Sequence, residues 1–196
     1  KKVLLQLALF VVIVIIGYMV YQSIMEPLEF NREQKKREVA VVNKLMDIRN
    51  SQVIYRQLMG SYSNNFDSLK AFLAVAEIPI VKMIPDPEDT TFIKTINDTV
   101  GYIKVSDSIF KGKTYGLNQL EFIPFSQGDK FEMDADTIER GGVKVFVFEV
   151  KAPYTSYLKG MDEQTIINIT AKQEDIDRYA GLKLGSLIEP TIDGNR

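Results

Sequence analysis

Apolar residues follow three successive patterns along the chain, and each predicts a different element. From residue 3 to residue 21 (VLLQLALFVVIVIIGYMVY) only Gln6 and Gly17 interrupt a run of 19 apolar residues. At about 1.5 Å per residue such a helix is about 28 Å long, the thickness of a bilayer's hydrocarbon layer. A core helix of a soluble protein keeps a polar stripe, and this one is apolar on every side, so it predicts a membrane span. Tyr18, Met19, Tyr21 and Gln22 stand where a cleaved signal would place small residues, so the anchor is expected to stay attached.

The second pattern covers residues 37–59. Val41, Leu45, Ile48, Tyr55 and Met59 recur at alternating four- and three-residue steps, Gln52 fills the one missing place, and Val42, Met46 and Val53 widen the stripe. This is an amphipathic helix, expected to lie on its own domain's sheet; a coiled coil is the alternative, supported by under three heptads. Gly60 is its natural stop. Pro27 and the charged residues 29–38 are read as a break between this helix and the membrane span. Asn65 or Asp67 caps a short second helix through Leu69, Phe72 and Leu73 to about Ala76, with Pro79 ending it.

From about residue 100 the period becomes two. Residues 102–105, 120–123, 130–133, 144–150 and 166–170 are predicted strands, with turns at 106–108, 126–129 and 141–142 and another near Asp162. The acidic residues 85–89 read as an exposed loop. The fold class is therefore α+β: an N-terminal transmembrane helix, then a long amphipathic helix packed on an antiparallel β-sheet. The predicted organisation is an anchor (1–25), a juxtamembrane polar segment (26–38), an extracytoplasmic α+β domain (39–180) and an irregular tail (181–196).

Composition narrows the function. The net charge of -2 gives no basic footprint, so no nucleic-acid partner is expected. The chain has no cysteine, which removes disulfides, thiolate nucleophiles and Cys-ligated metals. It also has no histidine, which removes the commonest base near neutral pH and Ser-His-Asp or Cys-His catalysis. No enzyme activity, cofactor or metal is expected. Carboxylate pairs at Asp86/Glu88/Asp89, Asp134/Asp136 and Asp175/Asp177 lack calcium-loop spacing and read as solvated turns. A carboxylate-based cell-surface hydrolase is the competing enzymatic class.

The order of elements resembles a type IV pilin or pseudopilin. The run from Val11 through Val12, Ile13, Val14, Ile15 and Ile16 to Gly17 is similar to the start of that family's long helix. Leu45, Met46, Asp47, Ile48 and Arg49, leading to Tyr55, Gly60, Ser61 and Tyr62, and then Phe66, Asp67, Ser68 and Leu69, are similar to the point where the helix gives way to the sheet domain. The match covers about the first 75 residues. The family's glutamate near the start of the apolar segment aligns with Ala8, and Lys1 and Lys2 carry no prepilin leader glycine. The resemblance thus implies a pilin-like domain rather than filament assembly.

The expected function is a non-enzymatic, single-pass structural or assembly subunit of a bacterial envelope complex of the secretion, motility or pilus-like kind. An accessory subunit of a division or motor complex, pairing through the membrane-proximal helix, is the alternative. The expected location is the bacterial inner membrane, with a cytoplasmic N-terminus and a periplasmic domain; the basic head followed by an apolar core points that way. Partners are the bilayer, through residues 3–21, and other membrane or envelope proteins or a second copy. Lys104, Glu121, Lys130, Glu132 and Lys144 interrupt the predicted strands and leave no long uncharged edge, so assembly is assigned to the span, where Gln6 and Gly17 share one face. Asp followed by Ser or Thr occurs five times, at Ser68, Thr90, Thr99, Ser108 and Thr137, against about one expected by chance. The triplet resembles the O-glycosylation acceptor of Bacteroidota and equally fits turns and caps. Asn97 and Asn168 meet the short N-glycosylation rule.

Overall fold

The computed structural model describes residues 2–85 and 95–195. Its backbone is one helix, α1 (Lys2–Met59), of 58 residues. The expected break at Pro27 is absent: the helix runs through it. Proline removes one hydrogen bond and crowds the preceding turn. Local side-chain pairs bracket the defect, with Gln22 donating to Glu26 at 2.6 Å, Gln34 to Glu38 at 2.8 Å and Arg37 to Glu33 at 3.1 Å. Gly60 ends the helix at φ +82°, in the left-handed region where glycine is unstrained.

The two halves of α1 have different surroundings. Every described side chain from residue 3 to residue 24 is exposed, and none of the described residues packs on this stretch. Contact with the rest of the chain begins at Phe30, which packs against the core. Residues 26–38 are therefore helix, joined to the domain from Phe30 onward. Arg37 donates from Nη1 to the carbonyls of Tyr157 (3.2 Å) and Lys159 (3.0 Å) and lies over the Phe125 ring. Further on, Val41, Leu45 and Ile48 are buried in the core beside Leu69 and Leu73 of α2 (Phe66–Val75). Asn65 caps α2, accepting the Ser68 N–H at 2.7 Å.

Among the described residues the strands form two sheets where one was expected. β1 (Glu77–Pro85) and β2 (Thr95–Lys104) pair as a separate antiparallel ribbon, with an irregularity between Ile80 and Val81. Sequence gave mixed signals there. The ribbon includes an uncharged run, Thr99 to Ile103, between Asp98 and Lys104, with Val100 and Tyr102 exposed. The second sheet has the order β3-β4-β5, all antiparallel, from β3 (Glu132–Arg140), β4 (Val143–Pro153) and β5 (Gly181–Gly185). Its inner face, through Met133, Phe148, Val150 and Leu184, closes the core against α1.

Several predicted strands are something else. After Lys104 the chain turns into α3 (Val105–Phe110). Residues 120–123 are not a strand: Leu120, Glu121 and Ile123 are all buried, which breaks alternation, and only Phe122 bridges, to Lys130. Pro124 follows, and proline cannot donate to a ladder. Of residues 130–133 only Glu132 onward is in β3. After the short α4 (Tyr154–Tyr157), residues 166–170 lie inside α5 (Glu163–Glu174). β-branched residues misled there, while Asp162 acts as a cap, accepting the Thr165 N–H at 2.7 Å. The tail begins as strand β5, and its glycines are there for close approach. A Cβ at Gly181 or Gly185 would lie 2.2 Å from the carbonyl oxygen of Ala152 or Phe148. The expected acidic loop lies outside the described residues beyond Pro85.

Ile48 is fully buried while Met46, two residues away, is 47% exposed. Ile48→Ala is expected to destabilise the domain by about 2–5 kcal/mol, and Met46→Ala by less than about 0.5 kcal/mol. Thermal unfolding followed by near-ultraviolet circular dichroism separates the two.

Candidate partner-binding groove

The residues singled out from sequence do not gather at one site. Val41, Leu45 and Ile48 are buried in the domain's own core, Tyr55 stacks edge-on to Phe72 at 4.8 Å, and Met59 is exposed. Gln6 and Gly17 are exposed, and Gly17 has open space around it. Ser68, Thr99, Ser108 and Thr137 are all exposed and scattered over α2, β2, α3 and β3; Thr90 lies outside the described residues.

Sequence reading missed the polar side of α1. Lys44, Asp47, Ser51 and Gln52 are buried beside the apolar face. Asp47 accepts hydrogen bonds from Lys113 and from the Tyr115 hydroxyl. Lys44 donates to the Phe122 carbonyl at 2.6 Å and lies over the Tyr115 ring. Gln52 donates to the Ser63 carbonyl at 2.8 Å and accepts the Ser63 N–H at 2.9 Å, tying α1 to the chain just beyond it. The signal was present: Gln52 occupies an apolar place in the repeat, and a polar residue there needs a buried partner. Burial pushes Lys44 down to about 8, against the nearby Asp47 charge that favours its protonation. Burial also pushes the Tyr115 hydroxyl well above its usual range, with Asp47 reinforcing it.

Two further buried carboxylates are each held by two lysines. Glu121 meets Lys70 at 3.0 Å and Lys130 at 3.1 Å; Glu149 meets Lys151 at 2.5 Å and Lys183 at 3.2 Å. Burial opposes ionisation of both, but the lysine hydrogen bonds outweigh it and hold both below the usual carboxylate range. Asp47, Glu121 and Glu149 thus sit on separate elements with their charges already compensated.

The open feature is a groove along the flank of α1. Its larger part, of about 980 Å³, lies between Lys35, Glu38, Val39 and Val42 on one side and Tyr179 and Lys183 on the other. A smaller part, of about 360 Å³, continues past Leu45 and Met46 to Leu182 and Leu184. The segment after β5 closes its far wall. Asn195 donates its N–H to the Lys183 carbonyl at 2.9 Å, Gly185 donates to the Asp193 carbonyl at 2.9 Å, and Arg49 reaches Asp193 at 3.6 Å. The outer edge of β5 is therefore capped, and the groove wall offers side chains. Burial raises Tyr179 to about 12, helped by the Glu132 and Glu149 charges; burial likewise raises Tyr154 and Tyr157, with Glu38 adding to both. The Tyr157 hydroxyl is buried without a hydrogen-bond partner among the described residues.

No family model matches the chain, and neither the search of curated proteins nor that of solved structures gives a match.

The lysine shift fixes a pH dependence. Between pH 8 and its ordinary value near 10.5, Lys44 stays protonated in the unfolded chain but is neutral in the fold. Stability from this group therefore rises with pH across that window, by on the order of 2 kcal/mol. Lys44→Met should lack the rise in unfolding curves taken from pH 7.5 to pH 9.5. For Glu149 the sign is opposite at the acid end: its contribution is present above the ordinary carboxylate value and is lost as pH falls through the lowered one. Glu149→Gln should cost about 1–3 kcal/mol at pH 7, with the difference from the parent chain shrinking on acidification.

Proposed function

We propose that this chain is a non-enzymatic, single-pass subunit of a bacterial envelope assembly, anchored by the first half of α1, with its N-terminus in the cytoplasm and its domain in the periplasm. One observation carries this reading. Among the described residues there is one helix long and apolar enough to cross a membrane, and its apolar half is uncovered on all sides, then runs without interruption into the domain core. In water so large an apolar surface is strongly unfavourable, and a bilayer is the environment that covers every side of a helix. Buried carboxylates occupied by lysines support a binding role over hydrolysis. A long helix that both anchors and underlies an antiparallel sheet also supports the pilin-like comparison. A secretion, motility or pilus-like machine is the class of assembly this reading implies.

The test is extraction and topology. The protein is expected to remain in membranes washed with alkaline carbonate, and alkaline phosphatase fused after Arg196 is expected to be active while a cytosolic fluorescent reporter at the same place is dark. Release by carbonate would contradict anchoring, and a fluorescent, phosphatase-negative fusion would reverse the orientation.

A further inference from the structure

Among the described residues, all strand edges but one are blunted. The outer edge of β5 is capped by the segment that carries Asp193 and Asn195. β3 has five charged residues in nine, Glu132, Asp134, Asp136, Glu139 and Arg140, and charge discourages strand addition. β1 includes Pro79 and Pro85, which have no N–H to give to a ladder. β2 has neither proline nor cover. It pairs with β1 alone in a two-stranded sheet, and from Thr99 to Ile103 it is uncharged. Two strands by themselves are marginal in water, and added strands or a packed face stabilise them.

The irregularity of the ribbon falls in the same place. Ile80 stands opposite Gly101 and Val81 opposite Thr99, so Val100 has no residue of β1 opposite it. Val100 and Tyr102 are 63% and 68% exposed. A bulge can turn an edge away from an incoming strand; this one leaves an apolar, β-branched residue unclaimed by β1.

The two ends of the uncharged run decide what fits beside it. Asp98 precedes the run and Lys104 follows it. A second copy of β2, laid antiparallel with Gly101 opposite Gly101, sets Asp98 opposite Lys104 at both ends. The same register sets Val100 opposite Tyr102 twice and Thr99 opposite Ile103 twice. Opposite charges, and a β-branched residue facing an aromatic one, are favourable cross-strand pairs. Within the ribbon Asp98 is opposite Lys82 and Lys104 is opposite Glu77. Each end row of the four strands therefore runs Lys82, Asp98, Lys104, Glu77, alternating in sign. A parallel arrangement sets Asp98 against Asp98 and Lys104 against Lys104, and any other antiparallel register separates Asp98 from Lys104.

We propose that the outer edge of β2 is a self-association edge: two copies of this chain join β2 to β2, antiparallel and centred on Gly101, into one four-stranded sheet. The inference goes beyond the anchored reading and does not depend on it, since it concerns the ribbon alone.

The chain has no native cysteine, so introduced ones are the only thiols. A Cβ at Gly101 meets nothing within 4 Å, so cysteine fits there. The full chain carrying Gly101→Cys, purified in detergent and oxidised, is expected to give a disulfide-linked product of twice the chain's mass. Ile80→Cys, opposite Gly101 on β1, is expected to give none. In the four-stranded sheet its two copies stand three strand spacings apart, about 14 Å, beyond the reach of a disulfide. Differently tagged chains carrying Val100→Cys and Tyr102→Cys, when mixed, report the same register without altering the glycine. Charge exchange then tests the register itself. Asp98→Lys and Lys104→Asp, each combined with Gly101→Cys, set like charges opposite one another in their own dimers and opposite charges in the mixed dimer. The mixed dimer is expected to crosslink at least about fivefold more than either variant alone. A product with a protein of another mass would assign the edge to a foreign strand and overturn the proposal. Equal crosslinking from Ile80→Cys, no product of twice the chain's mass from either cysteine design, or like-charged dimers as abundant as mixed ones would also overturn it.

Discussion

One helix here carries two incompatible surfaces, and everything else is arranged around covering them. Along its first half α1 is apolar on all sides; along its second half it is apolar on one face and polar on the others. Burial of apolar area contributes about 25 cal/mol per Å², so neither surface is stable in water unless something covers it. The domain covers the second half by wrapping α2 and the three-stranded sheet around Val41, Leu45 and Ile48. None of the described residues covers the first half, and that asymmetry is the basis for assigning it to lipid.

Because α1 supplies both the apolar stretch and a wall of the core, the domain cannot move independently of it. Arg37 reaches the backbone after α4, Lys44 reaches the Phe122 carbonyl, Asp47 holds Lys113 and Tyr115, and Gln52 holds Ser63. These contacts lie at successive turns of α1 and join it to chain segments far apart in sequence. Buried polar groups of this kind add little net stability when satisfied and cost much when one partner is removed, so they fix the placement of the helix more than they deepen the fold. A domain fixed in this way holds its flank groove at a constant position relative to α1.

How much of this could be read in the residues depended on whether a pattern was local. The apolar run, the stripe of Val41, Leu45 and Ile48, the stop at Gly60, the Asn65 cap and strand β4 depend on near neighbours, and all were legible. Pro27 was overestimated because the penalty of a mid-helix proline was weighed without the pairs around it and the packing of Phe30 beyond it. Residues 166–170 were read as strand from their β-branched side chains, though the Asp162 cap outweighs that preference. Glycines at 181 and 185 were read as part of an irregular tail, whereas they mark close approach of β5 to β4. The groove itself was not legible, since its two walls are about 140 residues apart and no spacing rule links them.

The central claim is that α1 is a single unbroken rod from the apolar segment to the end of the domain's helix, and a distance tests it directly. With Tyr18→Cys and Leu58→Cys as spin-label sites in the cysteine-free chain, both exposed, 40 residues of helix separate the labels. Pulsed electron–electron double resonance of the full chain in lipid nanodiscs should give one narrow distribution centred near 60 Å, at about 1.5 Å per residue. A broad distribution, or one centred well below about 50 Å, would mean a hinge at Pro27 and would contradict the account.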